Sequence, residues 1–189
     1  MAKKNPGKDF ENDIAKSSEK RGIFCYRLRD QAASFNQADS KLRFSIRNIC
    51  DFIMYQYPYA YLVECKSHLG SSIPFTALKS KEKDHRIRDM AMESITCSGL
   101  QACVLFNWRD HDNETVSVYA SLVDDYIKSE GKLFGDNRKS IPYQWTIDHG
   151  RVISHRLKKV HYDYDMMDII FSKYDPEMQP QNKRKESFR

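Results

Sequence analysis

The sequence predicts a mixed α/β domain, and three observations carry that reading. Helical periodicity occurs near the start of the chain and again in its middle. Apolar runs of strand length come in two pairs, each joined by a short turn. Helices and strands alternate along the chain rather than segregating. The 189 residues, 40% hydrophobic and 12% aromatic, suffice for one core and exceed what a disordered chain carries. Residues 1–175 therefore read as a single domain, and 176–189 as a mobile polar tail.

The elements follow in order. Residues 8–21, behind Pro6-Gly7, read as a helix with Phe10 and Ile14 on one face, closed by Gly22. Ile23–Leu28 reads as a short strand. Residues 29–47 are polar and aperiodic, a long loop or projection of the kind that is often functional. Ile49–Tyr55 and Ala60–Lys66 are apolar runs on either side of Gln56-Tyr57-Pro58-Tyr59, a hairpin signal. Both faces of these runs are apolar, so the sheet is expected to be covered on both sides. Residues 78–97 read as a helix with Ile87, Ala91 and Ile95 on its buried stripe beside Met90, and Gly99 as its stop. Ala102–Trp108 and Thr115–Ala120 read as strands around the polar turn Arg109–Glu114, followed by a helix near Ser121–Ser129 capped by Ser121. Residues 151–154 read as a last strand.

Composition excludes several classes. No apolar stretch approaches the roughly 18 residues of a membrane span, and the charged first eight residues have no apolar segment behind them, so neither a membrane helix nor a signal peptide is expected. Cys25, Cys50, Cys65, Cys97 and Cys103 show no metal-ligand spacing and fall mostly in apolar runs, which suits buried reduced thiols and a cytoplasmic location. His68, His85, His111, His149, His155 and His161 match no zinc pattern and are expected at the surface. The net charge is +5, and residues 1–50 hold eleven Lys/Arg against six acids, a bias that suits a polyanion such as nucleic acid. Arg27, Arg29, Lys41, Arg43 and Arg47 are interleaved with Tyr26, Phe35 and Phe44. Basic side chains can contact phosphates there and aromatic rings can stack on exposed bases, although each ring taken singly suits packing as well. The tail cluster Lys183-Arg184-Lys185 reads as a solvated end.

The chemistry is concentrated in the hairpin. With Tyr55 placed opposite Ala60, Asp51 falls opposite Glu64, and strand alternation puts Lys66 on the same face as Glu64. Two carboxylates facing each other among apolar neighbours are destabilising unless something compensates them. Mg²⁺, or Mn²⁺ in its place, would do so. Such a cation polarises phosphate oxygens and a lysine beside it stabilises developing charge, which is the equipment of phosphodiester hydrolysis. The alternative is a local ion-pair cluster on a solvated edge.

Cys50-Asp51-Phe52 followed by Val63-Glu64-Cys65-Lys66 resembles the PD-(D/E)xK nuclease motif. The wider chain resembles the RecU-type Holliday-junction resolvases of Gram-positive bacteria and their phages. The resemblance runs over about residues 7–172 and rests on Gly7-Lys8-Asp9-Phe10-Glu11, Glu64-Cys65-Lys66-Ser67, Ser71-Ser72-Ile73-Pro74-Phe75, Asp84-His85-Arg86-Ile87 and Asn137-Arg138-Lys139-Ser140-Ile141-Pro142. It implies a restriction-endonuclease-like mixed β-sheet flanked by helices. It also implies a homodimer that nicks four-way DNA junctions with Mg²⁺, and a possible recombinase partner. Asp51, Glu64 and the backbone carbonyl of Cys65 would ligate the metal, Lys66 would be the catalytic lysine, Glu11 a supporting acid, and residues 29–47 a stalk entering the junction. Two departures stand out: Ile49 where the family carries Thr, and Arg86 where it carries Gln, an arginine that could meet the scissile phosphate. Three readings are therefore open: a junction resolvase, a nuclease of the same fold acting on other DNA, and a non-catalytic DNA-binding module.

Overall fold

The computed structural model describes residues 5–20, 22–28, 49–56, 59–78, 86–96 and 100–154. The first helix, α1 (Pro6–Lys20), starts on a proline, whose missing N–H costs nothing in a first turn, and buries Phe10, Ile14 and Ser18 four residues apart. Gly22, at φ 67°, reverses the chain with Ile23 N–H donating to the Ser18 carbonyl at 3.0 Å. Strands β1 (Phe24–Arg27), β2 (Phe52–Gln56) and β3 (Tyr59–His68) follow as an antiparallel meander. The chain then passes through β4 (Ser72–Pro74), α2 (Phe75–Leu78) and α3 (Arg86–Thr96). It returns as β5 (Leu100–Trp108), parallel to β3, and turns back as β6 (Glu114–Tyr119). Asp112 and Asn113 occupy the left-handed region in that turn, as those residue types tolerate. Helix α4 (Ala120–Ser129), strand β7 (Ser140–Pro142), helix α5 (Tyr143–His149) and strand β8 (Arg151–Ser154) complete the order.

The main sheet has six strands in the order β1-β2-β3-β5-β6-β8, and β4 pairs with β7 in a separate ribbon. The expected class is therefore what the structure has: a mixed sheet flanked by helices. Its central strands are covered on both faces. On one side Phe10 and Ile14 of α1 join Phe52, Met54, Tyr61, Val63 and Cys65. On the other, Ile87, Met90 and Ala91 of α3 and Leu122, Val123 and Tyr126 of α4 join Leu62, Val104 and Phe106. Burial on both faces is why residues 102–106 read as a continuous apolar run.

Several expectations need correction. Ser121 does not cap α4: Tyr119 holds that position at φ −59°, ψ 136° with no side-chain hydrogen bond, because β6 runs straight into the helix. Ile95 is 68% exposed rather than on the buried stripe, and its neighbours Met92, Glu93 and Thr96 are exposed with it. Of the expected helix over 78–97, α2 supplies Leu78 and α3 supplies 86–96, with 79–85 and 97 outside the described residues. Gln56 and Tyr59, expected in the hairpin loop, pair as strand residues without changing the register. Helix α5 and the β4–β7 ribbon have no counterpart among the expected elements. His111 and His149 are half-buried, stacked on Tyr143 and Trp145 at centroid distances of 3.7 and 5.0 Å. Cys50, Cys65 and Cys103 are buried and free, as expected, and burial pushes the Cys50 and Cys103 thiols up to about 12, where they are unreactive. No described helix is long and apolar enough to cross a membrane. The proposed stalk, with Arg29, Lys41, Arg43 and Arg47, lies outside the described residues, as do Cys97 and the tail.

Candidate active site

The β2–β3 ladder has the register expected from the hairpin, with Tyr55 opposite Ala60 and Phe52 opposite Val63. It ends there, one position short of Asp51. The Asp51 N–H donates to the Val63 carbonyl at 3.0 Å, and its own carbonyl accepts from the Leu28 N–H at 2.9 Å. Its carboxylate takes over where the ladder stops, with Oδ2 accepting from the Cys65 N–H at 2.8 Å. Asp51 is thus a junction between three segments of the sheet, and these three bonds fix both its backbone and its carboxylate.

Glu64 lies inside β3 on the same face as Leu62, and only 1% of it is exposed. Its Oε1 accepts from Lys66 Nζ at 2.6 Å, whereas Oε2 is buried without a hydrogen-bond partner. Burial raises the pKa of Glu64; the Lys66 ammonium opposes that shift and the Asp51 carboxylate adds to it. Lys66, two residues along the same strand, keeps 26% of its side chain exposed, so its ammonium faces both Glu64 and solvent.

Two further charges arrive from other elements. Arg86 opens α3 and places Nη1 3.4 Å from Asp51 Oδ1. Glu11 comes from α1 and pairs with Arg27, whose guanidinium also donates to Asn12 Oδ1 at 2.9 Å and lies over the Phe52 ring. Burial raises the pKa of Glu11, and Asp51 raises it further, while Arg27 and then Lys66 lower it. The structure therefore brings Glu11, Asp51, Glu64 and Lys66 into one electrostatic neighbourhood. It gives Arg27, expected to meet DNA, a partner inside the chain. The Glu11–Arg27 pair is absent from the sequence expectations. The strand pattern carries no signal for it, because it joins a helix residue to a strand residue 16 positions away through tertiary placement.

Three carboxylates (Glu11, Asp51, Glu64) are thus met by three cations (Arg27, Lys66, Arg86). Among the described residues no group of three or more His, Cys, Asp or Glu side chains is gathered as a metal cluster. The donor chemistry nevertheless fits a small divalent cation. Asp51 and Glu64 are hard oxygen donors, and Glu64 carries a buried oxygen with no partner, at a place where an unmet charge is costly. The observed role of the Cys65 backbone is to donate its N–H to Asp51.

This burial has a measurable consequence for stability. Folded Glu64 keeps its proton to a higher pH than the unfolded chain does, so between the two pKa values the folded state binds more protons. Stability therefore falls as pH rises through that window. Glu64→Gln removes the loss and leaves Lys66 an acceptor. The amide nitrogen inherits the unpartnered position of Oε2, so what is relieved is the buried charge; a difference of about 1–3 kcal/mol is a few degrees of melting midpoint for a chain of this size. The variant is expected to melt above the wild type at pH 8, with the gap closing toward the ordinary glutamate value of 4.5. Equal midpoints across this range in thermal denaturation followed by circular dichroism would contradict the strained state of Glu64.

No protein-family model matches the chain, and no curated protein matches it significantly.

Proposed function

We propose that the protein is a Mg²⁺-dependent DNA endonuclease of the restriction-endonuclease-like class, acting on four-way junctions. The reading is carried by one observation: a buried carboxylate, Glu64, with an unpartnered oxygen, sharing a hairpin with Asp51 and Lys66. The mixed α/β architecture is compatible with it. Asp51, Glu64 and the Cys65 carbonyl would hold the cation, with Glu11 as a supporting acid. Mg²⁺, or Mn²⁺ in its place, supplies Lewis-acid polarisation of a phosphate oxygen and a more acidic water. Lys66 donates one of its three N–H groups to Glu64; the others orient the attacking water and meet the charge that builds on the phosphate as the P–O bond breaks. Arg29, Lys41, Arg43 and Arg47, with Arg27 and Arg86, would contact DNA phosphates. A four-way junction has approximate two-fold symmetry, and two chains related by a two-fold axis would present two sites for matched nicks.

The test compares a labelled synthetic four-way junction with linear duplex of the same sequence, in Mg²⁺ and in chelator, alongside sedimentation of free and junction-bound protein. Paired symmetric nicks in the junction, little cutting of the duplex and a dimer are expected. Equal cutting of both DNAs would assign a nuclease with another target, and binding without cutting would assign a non-catalytic module. A recombinase partner is a further proposal that rests on the family resemblance alone.

A further inference from the structure

Lys66 and Arg86 both neutralise the carboxylates of the site, but they do so differently. Lys66 sits on the same strand as Glu64, with a short 2.6 Å contact to Oε1. Arg86 reaches Asp51 from the first residue of a separate helix, and its 3.4 Å contact is longer than the roughly 2.7–2.9 Å of a well-made charge-assisted hydrogen bond. The pairing with Asp51 is therefore loose. Asp51 Oδ2 is already committed to the Cys65 N–H, so Oδ1, where Arg86 stands, is the oxygen that the strand backbone leaves for another partner. The charge of Arg86 also reaches Glu64, whose second oxygen has no partner. A guanidinium beside Oδ1 and a divalent cation on the same oxygen would repel each other.

We propose that Arg86 is a resident counter-cation that neutralises Asp51 in the metal-free protein and must leave Oδ1 before a divalent cation can bind there. Arg86 then sets the threshold concentration of cation at which the site loads. This inference rests on the metal-dependent reading of Asp51 and Glu64, and it concerns a residue at which the chain departs from the family it resembles.

Binding of Mn²⁺ alone to the full chain, followed by the loss of the free-ion electron paramagnetic resonance signal, tests it without any cleavage assay. Arg86→Gln is expected to bind Mn²⁺ about tenfold more tightly than the wild type. It should also melt lower in chelator and gain a larger increase in melting midpoint on adding Mn²⁺. Arg86→Lys, which keeps the charge, is expected to stay within twofold to threefold of the wild type. Arg86→Met serves as the neutral variant if the glutamine does not fold. Equal or weaker Mn²⁺ binding in the neutral variants, with the wild type still binding and Asp51→Asn abolishing that binding, would overturn the role of Arg86 while leaving the metal site standing. Failure of every variant and of the wild type to bind Mn²⁺ would overturn the metal site and this inference with it.

Discussion

Asp51→Asn and Glu64→Gln are each expected to lower the single-turnover cleavage rate by about a thousandfold or more, with junction affinity close to that of the wild type. The size follows from the charge removed. A cation at this site would supply several kcal/mol of transition-state stabilisation, and each ~1.4 kcal/mol is a factor of ten in rate. Both substitutions preserve shape. In Asp51→Asn the amide still offers an oxygen to the Cys65 N–H, which the native carboxylate meets at 2.8 Å, so the end of the β2–β3 ladder should hold. In Glu64→Gln the amide still offers an oxygen to Lys66. DNA affinity would rest mainly on Lys and Arg contacts to phosphates; Glu64→Gln touches none of these residues, and Asp51→Asn alters only the 3.4 Å contact of Arg86. Gel-shift and quench-flow measurements on the same preparations separate the two effects. Wild-type rates in either variant would remove Asp51 and Glu64 from the chemistry.

Lys66→Ala is expected to cost about 10²–10³ in rate, the usual consequence of removing one donor aimed at developing charge. Metal affinity should change much less, since the ammonium donates to Glu64 Oε1 and is not itself a metal ligand. The variant carries a second signature. The Lys66 charge lowers the pKa of Glu64 against the effect of burial, so its removal raises that pKa further. The pH at which cation binding is half lost to Glu64 protonation should therefore move upward. A loss of only severalfold in rate, with an unmoved pH profile, would reduce Lys66 to a partly exposed counter-charge.

How far the sequence reveals this arrangement depends on distance along the chain. The hairpin is local: a short aromatic turn between two apolar runs fixes the pairing of Tyr55 with Ala60, and with it the proximity of Asp51, Glu64 and Lys66. The break at Asp51 is not legible, because it depends on a carboxylate capturing the Cys65 N–H in place of a ladder bond. The contact from Arg86, 35 residues away, and the pairing of Glu11 with Arg27 depend on tertiary placement. Only the family resemblance, not the strand pattern, points to Glu11 and Arg86 as members of the site.

The β4–β7 ribbon does have a sequence signal, a repeated tripeptide. Residues 72–74 and 140–142 both read Ser-Ile-Pro and pair antiparallel, with Ile73 opposite Ile141, both buried. Each strand leads into a helix, and the Phe75 and Tyr143 N–H groups cross to the carbonyls of Lys139 and Ser71. Helix α5 escapes sequence reasoning for a different reason. Its seven residues, Tyr-Gln-Trp-Thr-Ile-Asp-His, are mostly poor helix formers and are held by tertiary contacts, among them the Trp108 indole donating to Thr146 Oγ1 at 3.1 Å. Ile95 and Ser121 fail as sequence signals because periodicity and cap preference describe an isolated helix, whereas burial and the β6–α4 continuity decide both positions.

The central claim is that Asp51, Glu64 and Lys66 form a cation-dependent phosphodiesterase site. The most direct measurement is incision of an end-labelled four-way junction by the full chain in excess over DNA. Wild type and Glu64→Gln are purified identically and assayed in chelator, in Mg²⁺, and in chelator followed by excess Mg²⁺. The account predicts nicks in the wild type that are absent in chelator, return with excess Mg²⁺ and are missing in Glu64→Gln under every condition. Equal incision by the wild type and Glu64→Gln, or no incision by folded wild type in Mg²⁺ and Mn²⁺, would contradict it.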